Sequence, residues 1–276
     1  MNEQKNVLIT GCSSGIGLCA ANVLKKRGYR IFATARKHND VSRLISDGFE
    51  SEQLDLADSA SIHKALDTIL NKTDGKLYGL FNNGAYGQTG AVEDLSRDIL
   101  KEQFETNFFG THELTNLVIP VMRKQRDGRI IQNSSVLGFV TLKYRGAYNS
   151  SKFALEGLTD TLRMELKGSG VHVILIEPGP IESQFRKNAY AAYRRNIVKH
   201  KSVHKTFYES IEQRLQTEGP VVPFTLGPEA VVDKVIKALE SNHPRARYYV
   251  TFPTYLFGYL KRVLPVSLMD RILEKI

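Results

Sequence analysis

Cysteine is scarce in this 276-residue chain: there are two, Cys12 and Cys19, seven apart across a glycine-rich stretch. That excludes a disulfide framework and a cysteine-rich zinc site, and it fits a reducing compartment. No metal is expected. No apolar run reaches the length of a membrane span. The N-terminus passes from Met1-Asn2-Glu3-Gln4-Lys5 straight into Val7-Leu8-Ile9, too short a run for a secretory leader, so the expected location is the cytoplasm. Internal repeats, low-complexity tracts and nucleic-acid-binding motifs are also missing, and no nucleic-acid partner is expected. Acid is missing from one stretch in particular. Arg186, Lys187, Arg194, Arg195, Lys199, Lys201 and Lys205 follow one another with no Asp or Glu between them, in a chain of net charge +9. A solvated helix face, attraction of an anionic substrate or cofactor, and peripheral contact with an anionic membrane each account for it.

What is present is alternation. Short β-rich runs at 5–10, 29–35, 49–54, 77–81, 129–133, 171–176 and 247–252 are separated by helical patterns at 16–27, 39–46, 58–71, 96–125, 146–167 and 228–241. Parallel strands need such crossovers, so the class is α/β, one doubly wound parallel sheet of about seven strands with helices on both faces. Asp58 is placed to cap its helix. One domain is expected over residues 1–276. Within it, the basic, helix-compatible segment 182–225 is a candidate substrate lid, and 253–276 is an amphipathic helical tail broken at Pro265. The tail packs on the pocket or a partner subunit, or lies on a membrane surface.

The first strand runs into Thr10-Gly11-Cys12-Ser13-Ser14-Gly15-Ile16-Gly17 and then a helix. A helix N-terminus offers free N–H groups and partial positive charge, and glycines let a pyrophosphate approach the backbone. A tight turn packed by glycine is the other reading. Arg36 and Lys37 stand at the end of the second strand, where an acid would bind the ribose hydroxyl of NAD and a guanidinium suits the extra phosphate of NADP. They are read as selecting NADP(H), against two solvated charges. Asp55 and Leu56 end the third strand as candidate adenine contacts, although Asp55 also suits a turn before the helix. Tyr148 and Lys152 are four apart at the start of a helix, thirteen and seventeen residues after Ser135. That spacing puts phenol and ammonium on one face.

In this order and spacing, Thr10 to Gly17, Asn82-Asn83-Gly84-Ala85, Asn107, Ser135, Tyr148-x-x-x-Lys152 and Pro178-Gly179 resemble the short-chain dehydrogenase/reductase family over about residues 5–185. The family pattern is N-N-A-G where this chain reads N-N-G-A. The second half resembles a bacterial NADP-dependent aldehyde reductase subgroup related to retinol and 17β-hydroxysteroid dehydrogenases. The resemblance implies a Rossmann-like fold and reversible reduction of a small apolar aldehyde or ketone by hydride transfer. It implies Tyr148 as proton donor, Lys152 lowering the phenol's pKa and holding the nicotinamide ribose, and Ser135 on the substrate oxygen. Ser134 remains an alternative to Ser135. It further implies Asn107 in a proton relay, cofactor contacts at Gly11, Ser13, Ser14, Gly15, Ile16, Gly17, Asn83, Pro178, Gly179, Ile181 and Ser183, and a homodimer or homotetramer. The rival expectation is a dinucleotide-binding regulatory or redox-sensing protein without turnover.

Overall fold

The computed structural model describes residues 4–217, 219 and 222–276. Its centre is a seven-stranded parallel sheet. The strands are β1 (Asn6–Ile9), β2 (Arg30–Ala35), β3 (Glu50–Gln53), β4 (Gly79–Asn82), β5 (Gly128–Asn133), β6 (Val171–Glu177) and β7 (Arg247–Tyr249), in the order β3-β2-β1-β4-β5-β6-β7. The order reverses between β1 and β4. Crossovers leave these two strands for opposite faces of the sheet, so a crevice opens at their carboxyl ends. Each face has its own core. One packs α1 (Gly15–Lys26), α2 (His38–Ser46) and, further along, the helix at 229–240 through Ala20, Leu24, Leu44, Val231 and Val235. The other packs α3 (Ser59–Lys72) and the helix at 110–125 through Ile62, Leu66, Ile69, Leu114 and Val118. Asp58 caps α3 as expected, accepting from the backbone N–H of Ala60 and Ser61.

The expected helix over 96–125 is not continuous. α4 (Arg97–Phe104) gives way to a π-helical turn at Glu105–Phe109, and α5 (Gly110–Gln125) follows. The extra residue in this turn carries Asn107 inward, where it is buried. Gly110 is then pressed on the loop after β3: a Cβ there would lie 1.7 Å from the Leu56 carbonyl oxygen.

α6 (Gly146–Glu165) buries Tyr148, Ser151, Lys152, Leu155, Glu156 and Thr159 on one face. A helix that buries so many polar groups is built around a site rather than a core. The lid segment forms two helices, α7 (Phe185–Asn196) and α8 (Lys205–Gln216), with a short 3-10 turn at Lys199–Lys201 between them. Its basic run is partly neutralised: Arg195 pairs with Glu102 and Lys199 with Glu212. After α9 (Glu229–Glu240), β7 stops at Tyr249, three residues short of the expected end, because α10 (Phe252–Val263) already begins there with Pro253 in its first turn. Pro265 separates α10 from α11 (Val266–Leu273). α10 rests on Tyr249 through Gly258 and leaves Phe252, Tyr255, Tyr259 and Val263 exposed.

Candidate active site

The glycine loop is shaped by close backbone approaches. Gly11 and Gly15 have φ of +72° and +56°. A Cβ on Gly17 would lie 2.3 Å from the Gly11 carbonyl oxygen. The second loop, after β4, is locked to the first. Asn83 Nδ2 donates to the Thr10 carbonyl at 3.0 Å and to that of Gly11 at 3.3 Å, and Thr10 Oγ1 accepts from the N–H of Asn83 and of Gly84. A Cβ on Gly11 would stand 2.8 Å from Gly84 Cα, and one on Gly84 would stand 3.0 Å from Leu56 Cδ1. The N-N-G-A order therefore puts glycine where the two loops touch. Asn83 Oδ1 in turn accepts from Asn133 Nδ2 at 2.9 Å, which ties this clamp to the end of β5.

α1 opens on Ser14, whose side chain makes no capping bond, and no acid stands in its first turn. Its N–H groups face the crevice without a built-in anion, and glycine leaves the floor bare. These features fit a dinucleotide pyrophosphate. Arg36 and Lys37 are exposed at the mouth of this end and do not line the cavity. The sequence reading missed Arg43. Its Nη2 donates to the Ser13 carbonyl at 2.5 Å and pairs with Asp40 at 3.3 Å, adding a cation beside the loop. Asp55 Oδ1 accepts from the N–H of Ala57 at 3.0 Å, the turn role. Leu56 is buried against α5.

The cavity encloses about 410 Å³ and runs from the glycine loop to the lid. Gly11, Ser13, Ser14, Gly15 and Ile16 line one end; Ser134, Ser135 and Tyr148 line the middle; Pro178, Gly179, Ile181 and Ser183 form a side wall. Asn83 also reaches it, whereas Gly17, Asn107 and Lys152 stand behind the lining. Ser183 sits over Gly15: a Cβ there would come within 3.1 Å of Ser183 Cβ. Phe185 closes the roof, its ring edge-on to Tyr148 at 5.2 Å and packed over Gly87.

Ser135 and Ser134 are told apart by what they face. The Ser135 hydroxyl stands beside the Tyr148 phenol, donates to the Pro178 carbonyl at 3.5 Å and accepts from the N–H of Leu137 at 3.1 Å, whereas the Ser134 hydroxyl has no hydrogen-bond partner among the described residues and lies behind, with Glu156, against Gly138. Lys152 Nζ donates to the Asn133 carbonyl at 2.7 Å and lies 5.8 Å from the Tyr148 ring centre. Asn107 Nδ2 donates to the Tyr86 carbonyl at 2.9 Å and to Ser151 Oγ at 3.2 Å, and its Oδ1 accepts from the N–H of Tyr86. The side chain thus pins the π turn to the cavity wall.

The electrostatics correct one expectation. Burial pushes the Tyr148 phenol up to about 12, and what opposes it is the Ser135 hydrogen bond and then the charge of Arg145. Lys152 is not the cation that lowers it. Burial brings Lys152 itself down to about 8, partly offset by Glu156 one turn further along α6. Arg145, Arg214 and Phe185, all absent from the sequence reading as site residues, line the cavity. Behind it, Arg247 bonds the carboxylates of Glu156, Asp160 and Glu177. That guanidinium occupies the three carboxylates, and among the described residues no group of three or more His, Cys, Asp or Glu side chains is placed to hold a metal ion.

The sequence profile of the short chain dehydrogenases matches residues 5–194. The chain is 45% identical over 271 residues to the uncharacterized oxidoreductase YbbO of Escherichia coli K12, covering 98% of this chain and 94% of that one. It is 31% identical over 257 residues to human 17-beta-hydroxysteroid dehydrogenase type 1, covering 89% and 77%. A Burkholderia phymatum short chain dehydrogenase/reductase solved in complex with NAD shares the fold at TM-score 0.78 and 23% identity, over 99% of this chain and 95% of that one.

Proposed function

This chain belongs to the short-chain dehydrogenase/reductase family of oxidoreductases, and on that premise we propose that it uses NADP(H) to reduce an aldehyde or ketone group on a largely apolar substrate, or to run the reverse oxidation. The observation that carries the reading is the placement of Tyr148 and Ser135, side by side, on the same cavity as the open N-terminus of α1. When bound, the dinucleotide supplies the hydride to the carbonyl carbon.

The residues of this chain do the rest. Gly11, Gly15 and the first N–H groups of α1 hold the pyrophosphate, and Arg36 with Lys37 takes the 2′-phosphate that separates NADP from NAD. The Ser135 hydroxyl donates to the substrate oxygen as negative charge develops there. Tyr148 gives that oxygen its proton. A phenol held up near 12 is fully protonated at neutral pH, which suits the donor role in reduction. The oxidative direction needs the phenolate, which the Ser135 hydroxyl and the positive charge of Arg145 favour. Phe185 over Tyr148 keeps water from the transfer.

The test is NADPH oxidation across aliphatic, aromatic, retinoid and steroid carbonyls with wild-type protein and Tyr148→Phe, which removes only the hydroxyl. Turnover is expected to fall by about 10²–10⁴-fold with the fold intact. Reduction is expected to stay level through neutral pH, and oxidation to rise with pH. A folded Tyr148→Phe retaining most activity refutes the proton scheme. NADPH binding without oxidation of any carbonyl would favour the regulatory reading instead. The proposal extends to self-association as a homodimer or homotetramer, supported by Phe109 and Phe153 exposed on the 96–125 and 146–165 segments and measurable by light scattering.

A further inference from the structure

The substrate end of the cavity carries positive charge that no acid among the described residues answers. Arg145 stands at the N-terminal end of α6, three residues before Tyr148, and both side chains line the cavity. Among the described residues its guanidinium hydrogen-bonds only the neutral Thr89 Oγ1, through Nη1. Arg214, on α8 of the lid, lines the same cavity from the other side, and its charge acts on Arg145. No carboxylate among the described residues bonds either guanidinium. The other guanidinium that is partly buried behind the site, Arg247, holds three carboxylates. Among the described residues Glu182 is the one acid in the cavity lining, held at the side wall by its backbone N–H on the Leu226 carbonyl, and it bonds neither guanidinium.

Two guanidiniums brought toward each other without an acid repel. Here the cost is visible, since burial and the charge of Arg214 pull Arg145 down to about 10. A fold keeps such a pair where a ligand's negative charge resolves it. The pyrophosphate does not explain it. That group belongs at the α1 N-terminus, while Arg145 is fixed beyond Tyr148 by the loop at Thr89–Gly90, whose backbone bonds Tyr144. Leu142, Leu215 and Val222 supply apolar lining in the same cavity.

Resting on the carbonyl-reductase reading above, we propose that the substrate is an apolar oxo acid: its carbonyl lies at Tyr148 and Ser135, and its anionic oxyacid group is received by Arg145 and Arg214. Binding of such a substrate also draws α8 onto α6, because one guanidinium comes from each. The acid thereby closes the lid over the reacting carbon.

Two measurements test this, one of turnover and one of binding alone. In the first, kcat/KM with NADPH is compared for 8-oxooctanoate and its methyl ester, which differ in charge and not in the carbonyl. The acid is expected to be preferred by at least about tenfold, as a charge-assisted bond gives. Arg214→Glu, at an exposed position that tolerates substitution, is expected to abolish or invert that ratio through KM. In the second, calorimetry compares octanoate and octanamide binding to the protein with NADPH. Octanoate is expected to bind at least about tenfold more tightly, and Arg145→Gln and Arg214→Glu to erase the difference. Equal use of acid and ester, or a ratio unchanged in Arg214→Glu, overturns the oxo-acid site while leaving the reductase reading intact. If no carbonyl is reduced at all, the reductase reading fails. The calorimetry then decides the anion site by itself: equal octanoate and octanamide affinities overturn it.

Discussion

Replacing Arg247 by methionine probes the ion cluster that lies behind Lys152. The guanidinium holds Glu156, Asp160 and Glu177, so it joins β7 to α6 and β6. Glu177 is fully buried and Glu156 is 7% exposed. Burial raises both above the usual carboxylate range, and the charge of Glu156 raises Glu177 further. Glu156 Oε1 and Glu177 Oε2 have no other partner and are free to share a proton. Arg247 then balances the one charge that remains. Without it, the second carboxyl must also be protonated to stay buried. For a carboxyl of ordinary pKa near 4.3, that costs about 3.7 kcal/mol at pH 7 and about 1 kcal/mol at pH 5, at about 1.36 kcal/mol per pH unit. The sign follows from proton counts. Across this window the native variant binds one proton more than native wild type and two more than the unfolded chain, so its stability falls more steeply than that of wild type as pH rises. The figures are upper bounds, because the Arg247 side chain is 28% exposed and water can enter where it stood.

Urea unfolding of wild type and Arg247→Met at pH 5, 6 and 7 measures the difference directly. The loss is expected to grow from at most about 1 kcal/mol at pH 5 to about 2–3.5 kcal/mol at pH 7. The double variant Arg247→Met/Glu177→Gln, which cannot carry the second charge, is expected to recover most of the loss at pH 7. A loss equal at pH 5 and pH 7, or one under about 1 kcal/mol at pH 7, refutes the shared-proton account.

Three further outcomes are expected. Arg36→Asp should reverse the preference between NADPH and NADH, read as the ratio of kcat/KM values; an unchanged ratio removes Arg36 from the 2′-phosphate site. Gly17→Ala drives a Cβ to 2.3 Å from the Gly11 carbonyl, so dinucleotide affinity by calorimetry should collapse, with a stability loss of about 1–3 kcal/mol. Co-sedimentation with anionic vesicles should drop when the exposed Tyr259 and Val263 of α10 are changed to serine, and equal sedimentation excludes membrane contact through this helix.

The alternation of strands and helices, the glycine loop and the Tyr148–Lys152 pair were legible in the sequence because each is a local pattern of period, turn chemistry or spacing. The π turn was not. A single extra residue leaves the amphipathic pattern of 96–125 almost unchanged, and the turn is held by bonds from Asn107 to Tyr86, distant in sequence. The burial of Lys152 and the part played by Arg145 were not legible in the sequence either. Spacing gives the neighbour of a phenol but not the burial that lowers Lys152 and raises Tyr148. Arg145 meets Arg214 only once the lid has folded over, and Arg247 finds acids that belong to two other elements. What was missed is tertiary electrostatics, which one-dimensional spacing does not carry.

The bare Cα of Gly110 has a mechanical consequence. It starts α5 immediately after the turn that holds Asn107, and it abuts the Leu56 carbonyl in the loop that leaves β3. One rigid joint therefore couples the strand end on the adenosine side to the turn beside Tyr86 and Tyr148. The groove behaves as a gauge of fixed span, set by backbone against backbone. Side chains along its walls are free to vary and retune affinity, while the length of molecule it accepts stays the same. A side chain at 110 would stretch that gauge and misplace both ends at once, from a position that touches neither cofactor nor substrate.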